Sequence, residues 1–65
     1  ERHKAEQRDR LVALCSAAGA REPHLLADTL TLLLEGARVS RQAMGADGCC
    51  GHFAKACRAA IASFA

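Results

Sequence analysis

Cys49, Cys50, His52 and Cys57 fall within nine residues, and thiolates and imidazoles at that density are the raw material of zinc and redox sites. His24 could join them through the fold. The spacing argues against a metal. Structural zinc sites take paired ligands such as C-x2-C or H-x3-H and hold them tetrahedrally. Side chains on the adjacent Cys49 and Cys50 diverge, and Cys57 falls on the buried stripe of a helix, so no metal ligands are expected. A disulfide framework is no better supported. Nothing in these residues indicates secretion, and Cys15 and Cys57 stand where small apolar side chains belong, as free cysteines do. Cys49 and Cys50, near a helix start, are the residues on which a thiol switch would be built.

Catalysis finds no purchase. The sequence holds no workable Ser/His/Asp set, no phosphate loop and no paired carboxylates with a nearby acid, so neither an enzyme nor a cofactor is expected. His24 follows Pro23 in the first turn of a helix and should face solvent. Arg38 and Arg41 are neighbours on a helix surface, where an ion pair between Glu35 and Arg38 is the expectation rather than an anion site. The formal charge of +2 is too small for a nucleic-acid footprint. Arg2, Lys4, Arg8 and Arg10 are nearly cancelled by Glu1, Glu6 and Asp9, so that segment reads as a solvated, ion-paired helix surface.

The elements that hold these residues follow from composition and period. Hydrophobic residues make up 51% of the chain and aromatics 3%, a balance of Ala and Leu that suits close-packed helices and gives strands little support. Charges at Asp28, Glu35 and Arg38 break the longest apolar run well short of the roughly 18 residues of a membrane span. The chain opens at Glu1, without Met and in mid-helix, and the expectation is a piece of a longer polypeptide.

Three antiparallel helices are expected, at about 2–18, 23–44 and 49–64. The first carries Leu11, Leu14, Cys15 and Ala18 on one stripe, continued backward by Lys4, Gln7 and Arg8, so only half of it has anything apolar to bury. Gly19 suits the left-handed residue that ends a helix. Pro23 opens the second helix, its missing N–H costing nothing there, and Gly45 closes it. Asp47 or Gly48 should cap the third, which places Phe53, Cys57, Ala60, Ile61 and Phe64 on one stripe opposite Lys55 and Arg58.

The second helix is the unusual one. At about 100° per residue, Leu26, Leu30, Leu33, Ala37 and Met44 form one apolar stripe. Leu25, Leu32, Val39 and Ala43 form another, a quarter-turn or more away. Between them lies a strip of small side chains, Thr29, Gly36, Ser40 and Ala43, where another helix backbone could approach closely. A chain of 65 residues buries only about 60% of its unfolded surface and cannot cover both stripes. Pairing with a second copy, as a four-helix bundle about a two-fold axis, solves that with one self-complementary contact. The expected dimer interface is Leu25, Thr29, Leu32, Gly36, Val39, Ser40 and Ala43 from the second helix, with Cys57, Ala60, Ile61 and Phe64 from the third. These helices do not suit a DNA-reading helix-turn-helix, because the second is too long and the third carries only Lys55 and Arg58.

The run LVALCSAAGAREPHLLADTLTLLLEGARVSRQAMGADG resembles the carboxy-terminal part of tetracycline-repressor-type (TetR) transcriptional regulators. The matching features are Ala18-Gly19 closing one helix, Pro23 opening the next, Leu26-Ala27, the run Leu32-Leu33-Leu34-Glu35-Gly36-Ala37, and a glycine-containing loop before an Ala-rich last helix. The resemblance covers about Leu11 to Phe64. It implies an all-helical, cytoplasmic homodimer in which the last two long helices of each subunit form the four-helix interface. It further implies an amino-terminal helix-turn-helix domain, absent from these residues, that binds operator DNA, and a small-molecule inducer bound mainly by helices upstream. Cys49-Cys50 departs from the family, which tends to have Ala or Pro there. The implied function is the dimerisation part of the regulatory domain of a ligand-responsive repressor. The alternatives are a stand-alone helical interaction module without DNA binding, and a redox or metal switch on Cys49, Cys50 and His52.

Overall fold

The computed structural model describes residues 2–45 and 49–65, and the side chains of residues 5–45 and 51–65. It is all-helical, with no strand among the described residues: α1 spans Arg2–Ala17, α2 Pro23–Met44 and α3 Phe53–Ser63. Three boundaries differ from the sequence reading, the first being that α1 ends at Ala17 rather than at 18. Cys49–His52 forms a 3-10 turn, so α3 begins at Phe53 rather than at 49, and it ends at Ser63. The proposed caps Asp47 and Gly48 lie outside the described residues.

The turn between α1 and α2 carries most of the local logic. Gly19, at φ 83°, donates its N–H to Ser16 O, and Ala20 donates to Cys15 O. This is the paired-bond arrangement that a left-handed glycine allows after a helix, and it satisfies carbonyls the helix leaves open. Ala20 also packs against the buried cluster of Cys15, Leu26 and Ala27. Pro23 then steers the residue before it out of the right-handed helical basin. Glu22 sits at φ 49°, ψ 63°, a conformation costing an ordinary side chain about 1 kcal/mol or more. Its carbonyl accepts the Leu26 N–H at 3.1 Å, closing the first turn of α2. The same loop secures α3: the Arg21 N–H donates to Phe64 O at 2.8 Å, and its guanidinium donates to Ser63 O at 3.3 Å. A cation and an N–H thus meet the end of α3 where its carbonyls point outward.

The result is a flat molecule. Its Cα positions extend over 34 × 29 × 12 Å, and no Cα of α1 comes within 8 Å of one in α3. Each flanks α2, and α3 runs antiparallel to it: Phe64 lies beside Arg21, while Phe53 and Ala56 lie beside Leu33 and Ala37. The core is correspondingly small. Among the described residues only Cys15, Leu26 and Ala27 are buried, ringed by Leu11, Val12, Ala20, Leu30, Ala60 and Phe64.

Leu14 and Met44, read from the sequence as core-stripe residues, are not in the core; both are mostly exposed. Only Leu11, Val12 and Cys15 of α1 reach the core, which leaves Leu14 over an open wedge between α1 and α2. Met44 stands in the last turn of α2, beyond the stretch that α3 accompanies.

Candidate self-association surface

α2 presents Leu25, Leu32, Gly36, Val39 and Ala43 to solvent along one side. Leu25 is 50% exposed, Leu32 73% and Val39 62%, values that belong to unpartnered side chains rather than to the edge of a core. They recur at helical spacing, and no charged residue interrupts them. Thr29, half-buried in the same strip, donates its hydroxyl to Leu25 O at 2.8 Å and so brings no unmet donor to the surface. Ser40, at the inner margin, has an Oγ closed to solvent and without a hydrogen-bond partner among the described residues.

Beside the stripe runs a groove of about 340 Å3, walled by Leu32, Leu33, Gly36 and Ala37 of α2 and by His52, Phe53 and Ala56. Gly36 contributes no side chain to fill it. A Cβ built there would meet nothing within 4 Å. Packing within the chain therefore does not require glycine, although a glycine inside a helix costs up to about 1 kcal/mol relative to alanine.

The structure divides the residues expected on α3. Ala60 and Phe64 are half-buried against the core of their own chain. Cys57 is half-buried with a free thiol, and Ile61 is 50% exposed. Ile61 stands about 140° round the helix from Ala56 and about 80° from Phe53, the two α3 residues that wall the groove, and does not line the groove itself. The outward surface is the α2 stripe with the Phe53–Ala56 wall. Phe53 and Ala56 were not singled out for this surface from the sequence; Phe53 lay within the α3 stripe, and its place beside Gly36 depends on how α3 docks.

The remaining candidates scatter. His24 is exposed, Glu35 and Arg38 approach to 3.9 Å, and Cys15 is buried with a free thiol. The side chains of Cys49 and Cys50 lie outside the described ones, and no group of three metal-binding side chains gathers among those that are described. No helix among the described residues is long and apolar enough to cross a membrane. Two residues the sequence reading left out of the framework also matter: Arg21, which meets the α3 terminus, and Asp28. The Arg8 guanidinium donates to both Asp28 carboxylate oxygens, at 2.8 and 3.1 Å. That two-pronged bond holds the Asp28 carboxyl below its ordinary range and raises Arg8 further.

Comparison of the chain with protein-family models, with curated proteins and with solved structures returned no match.

Proposed function

We propose that this chain is a self-association element, in which α2 and the Phe53–Ala56 wall of α3 pair with the same surface of a second copy to form a four-helix bundle about a two-fold axis. One observation carries the reading. The chain exposes 5021 Å2, whereas a compact protein of 6.9 kDa exposes about 4,000 Å2. The excess of about 1,000 Å2 is close to the roughly 800 Å2 that each partner gives up in a standard stable interface. The Cα radius of gyration agrees, at 12.7 Å against about 10.7 Å for a compact chain of this length.

A second copy suits the stripe better than a charged partner, because the stripe offers no charge to pair with. A two-fold contact also brings Leu32 and Val39 of each copy toward Gly36 and its groove, giving the glycine a reason that the single chain lacks. The resemblance to TetR-type regulators supplies a wider setting: the dimer would be the joint of the regulatory domain of a ligand-responsive, cytoplasmic repressor. Operator DNA would then be bound by a separate helix-turn-helix domain and a small inducer by other helices. A stand-alone interaction module would use the same surface.

Sedimentation equilibrium over 1–100 µM tests the association. A reversible monomer–dimer equilibrium or a stable dimer is expected; a monomer throughout would overturn it. The regulatory setting is tested separately, by whether the intact reading frame encodes an upstream helix-turn-helix domain.

A further inference from the structure

The second open side of α2 has a different chemistry. Between α1 and α2 lies a wedge of about 780 Å3, floored by Leu11, Leu14 and Leu34 and rimmed by Arg8, Arg10 and Arg38 against Asp28 and Glu35. It shares no residue with the Leu25–Leu32–Val39 stripe and lies about 110° round α2 from it. We infer that this wedge is a docking site for an amphipathic helix whose apolar stripe is flanked by carboxylates. The inference does not depend on self-association.

Charge selects the flanks. Arg8 is neutralised by its two bonds to Asp28. Arg10 has no ion pair or hydrogen bond among the described residues, and Arg38 reaches Glu35 only at 3.9 Å with its side chain 69% exposed. The rim thus carries one guanidinium in excess of its carboxylates, Arg10, with Arg38 held only loosely by Glu35; set beside bare leucines, this matches a carboxylate adjoining an apolar side chain.

Shape selects a helix over a small molecule. Sites for small ligands enclose most of the ligand, about 70–90% of its surface. Here Leu14 is 67% exposed and Leu34 46%, so a small ligand resting on them would stay largely wet. A helix about 10 Å across can lie along α1 and α2 together and cover both leucines at once.

The test uses two fluorescent designed peptides of roughly 18 residues, long enough to hold a helix. They share one leucine stripe; one is flanked by Glu, the other by Lys. The Glu-flanked peptide is expected to raise fluorescence anisotropy saturably on titration with the full chain, and to bind roughly tenfold or more tightly than the Lys-flanked one. Replacing both Arg10→Glu and Arg38→Glu should abolish that preference, and Leu14→Asp should abolish binding. All three positions are exposed, so circular dichroism should show the helices retained. Leu32→Glu should leave peptide binding unchanged, separating this site from the stripe. Equal binding of both peptides, binding indifferent to Leu14→Asp, or binding of decanoate that depends on Arg10 without any binding of the Glu-flanked peptide would each overturn the inference.

Discussion

The two open sides of α2 are both lined by leucine, yet they differ in what surrounds it. Along Leu25, Leu32, Gly36, Val39 and Ala43 no charge intrudes and the Thr29 hydroxyl is turned back onto its own helix. Around Leu11, Leu14 and Leu34 the rim is three guanidinium groups and two carboxylates. A charge-free stripe is indifferent to the sign of its partner and gains chiefly by excluding water, which suits an identical surface. A leucine floor whose rim holds one guanidinium more than it holds carboxylates discriminates by charge and favours an acidic partner over an identical copy. Exposed apolar area alone therefore does not define a binding surface; the polar groups at its margin decide what can cover it.

The strongest way to break this contrast is to place charge on the stripe. Leu32→Glu combined with Val39→Glu should weaken dimerisation at least a hundredfold, about 3 kcal/mol, because two carboxylates from each copy would be buried without partners. Sedimentation equilibrium reads the change, and Leu14→Glu on the other side should leave it unmoved. Wild-type association should also vary less than about twofold between 50 mM and 500 mM NaCl, since no exposed charge pairs contribute. A steep salt dependence would mean that the wedge, not the stripe, is where copies meet.

Next in size is the anchor common to both sides. Leu26 is 2% exposed and stands with Cys15 and Ala27 at the place where all three helices meet. Leu26→Ala should cost roughly 2–3 kcal/mol, near the low end for buried leucine because so small a core can partly collapse around the gap. Thermal unfolding by circular dichroism should show the loss at every protein concentration, whereas the Leu32 and Val39 substitutions should lower the midpoint only where dimers form. If Leu26→Ala and Leu32→Glu proved indistinguishable in this respect, folding and association would be one event.

Gly36 separates the two contributions at finer scale. An added methyl meets open space within the chain, so Gly36→Ala should stabilise the monomer by up to about 1 kcal/mol through helix propensity. The same methyl would hold two α2 helices apart and weaken the dimer severalfold. Opposite signs in the two assays are the expected outcome. Stabilisation in both would show that no partner backbone approaches Gly36.

Much of this was legible in the residues themselves, because it depends on neighbours in sequence. Gly19 and Pro23 mark the turn through backbone preferences that do not depend on the rest of the fold, and the exposed stripe on α2 follows from period alone. The positions of the other helices are less local. Leu14 has the spacing of a core residue, but whether it is covered depends on which residues of α1 meet α2, an outcome shared among Leu11, Val12, Cys15 and Ala27. Ala60 and Phe64 were expected to face a second copy; both stripe and partner are apolar, and nothing in their own types says which of two apolar surfaces they meet. The Arg21 contact to the α3 terminus was invisible for a similar reason, since it joins residues 42 and 43 positions apart.

The smallest effect is at the mouth of the wedge, where Arg8 and Asp28 join α1 to α2. The hydrogen bonds from Arg8 keep the Asp28 carboxyl below its ordinary range, so the folded state binds that proton more weakly than the unfolded chain does. The stabilisation is then complete above the unfolded carboxylate pKa, near 4, and is lost as pH falls through the lowered folded value. Arg8 remains charged throughout, its own pKa being raised from an already high value. The side chains are 42% and 49% exposed, so solvent and salt screen the pair and the effect should be modest. Asp28→Asn isolates it from the other carboxylates. Wild type should melt above the variant at pH 7 in 20 mM salt, and the gap should close toward pH 2 and narrow in 500 mM salt. A gap that persisted at pH 2 would mean that Asp28 joins α1 to α2 by its shape rather than by its charge, and that the charge pair is not what holds the mouth of the wedge on this side of α2.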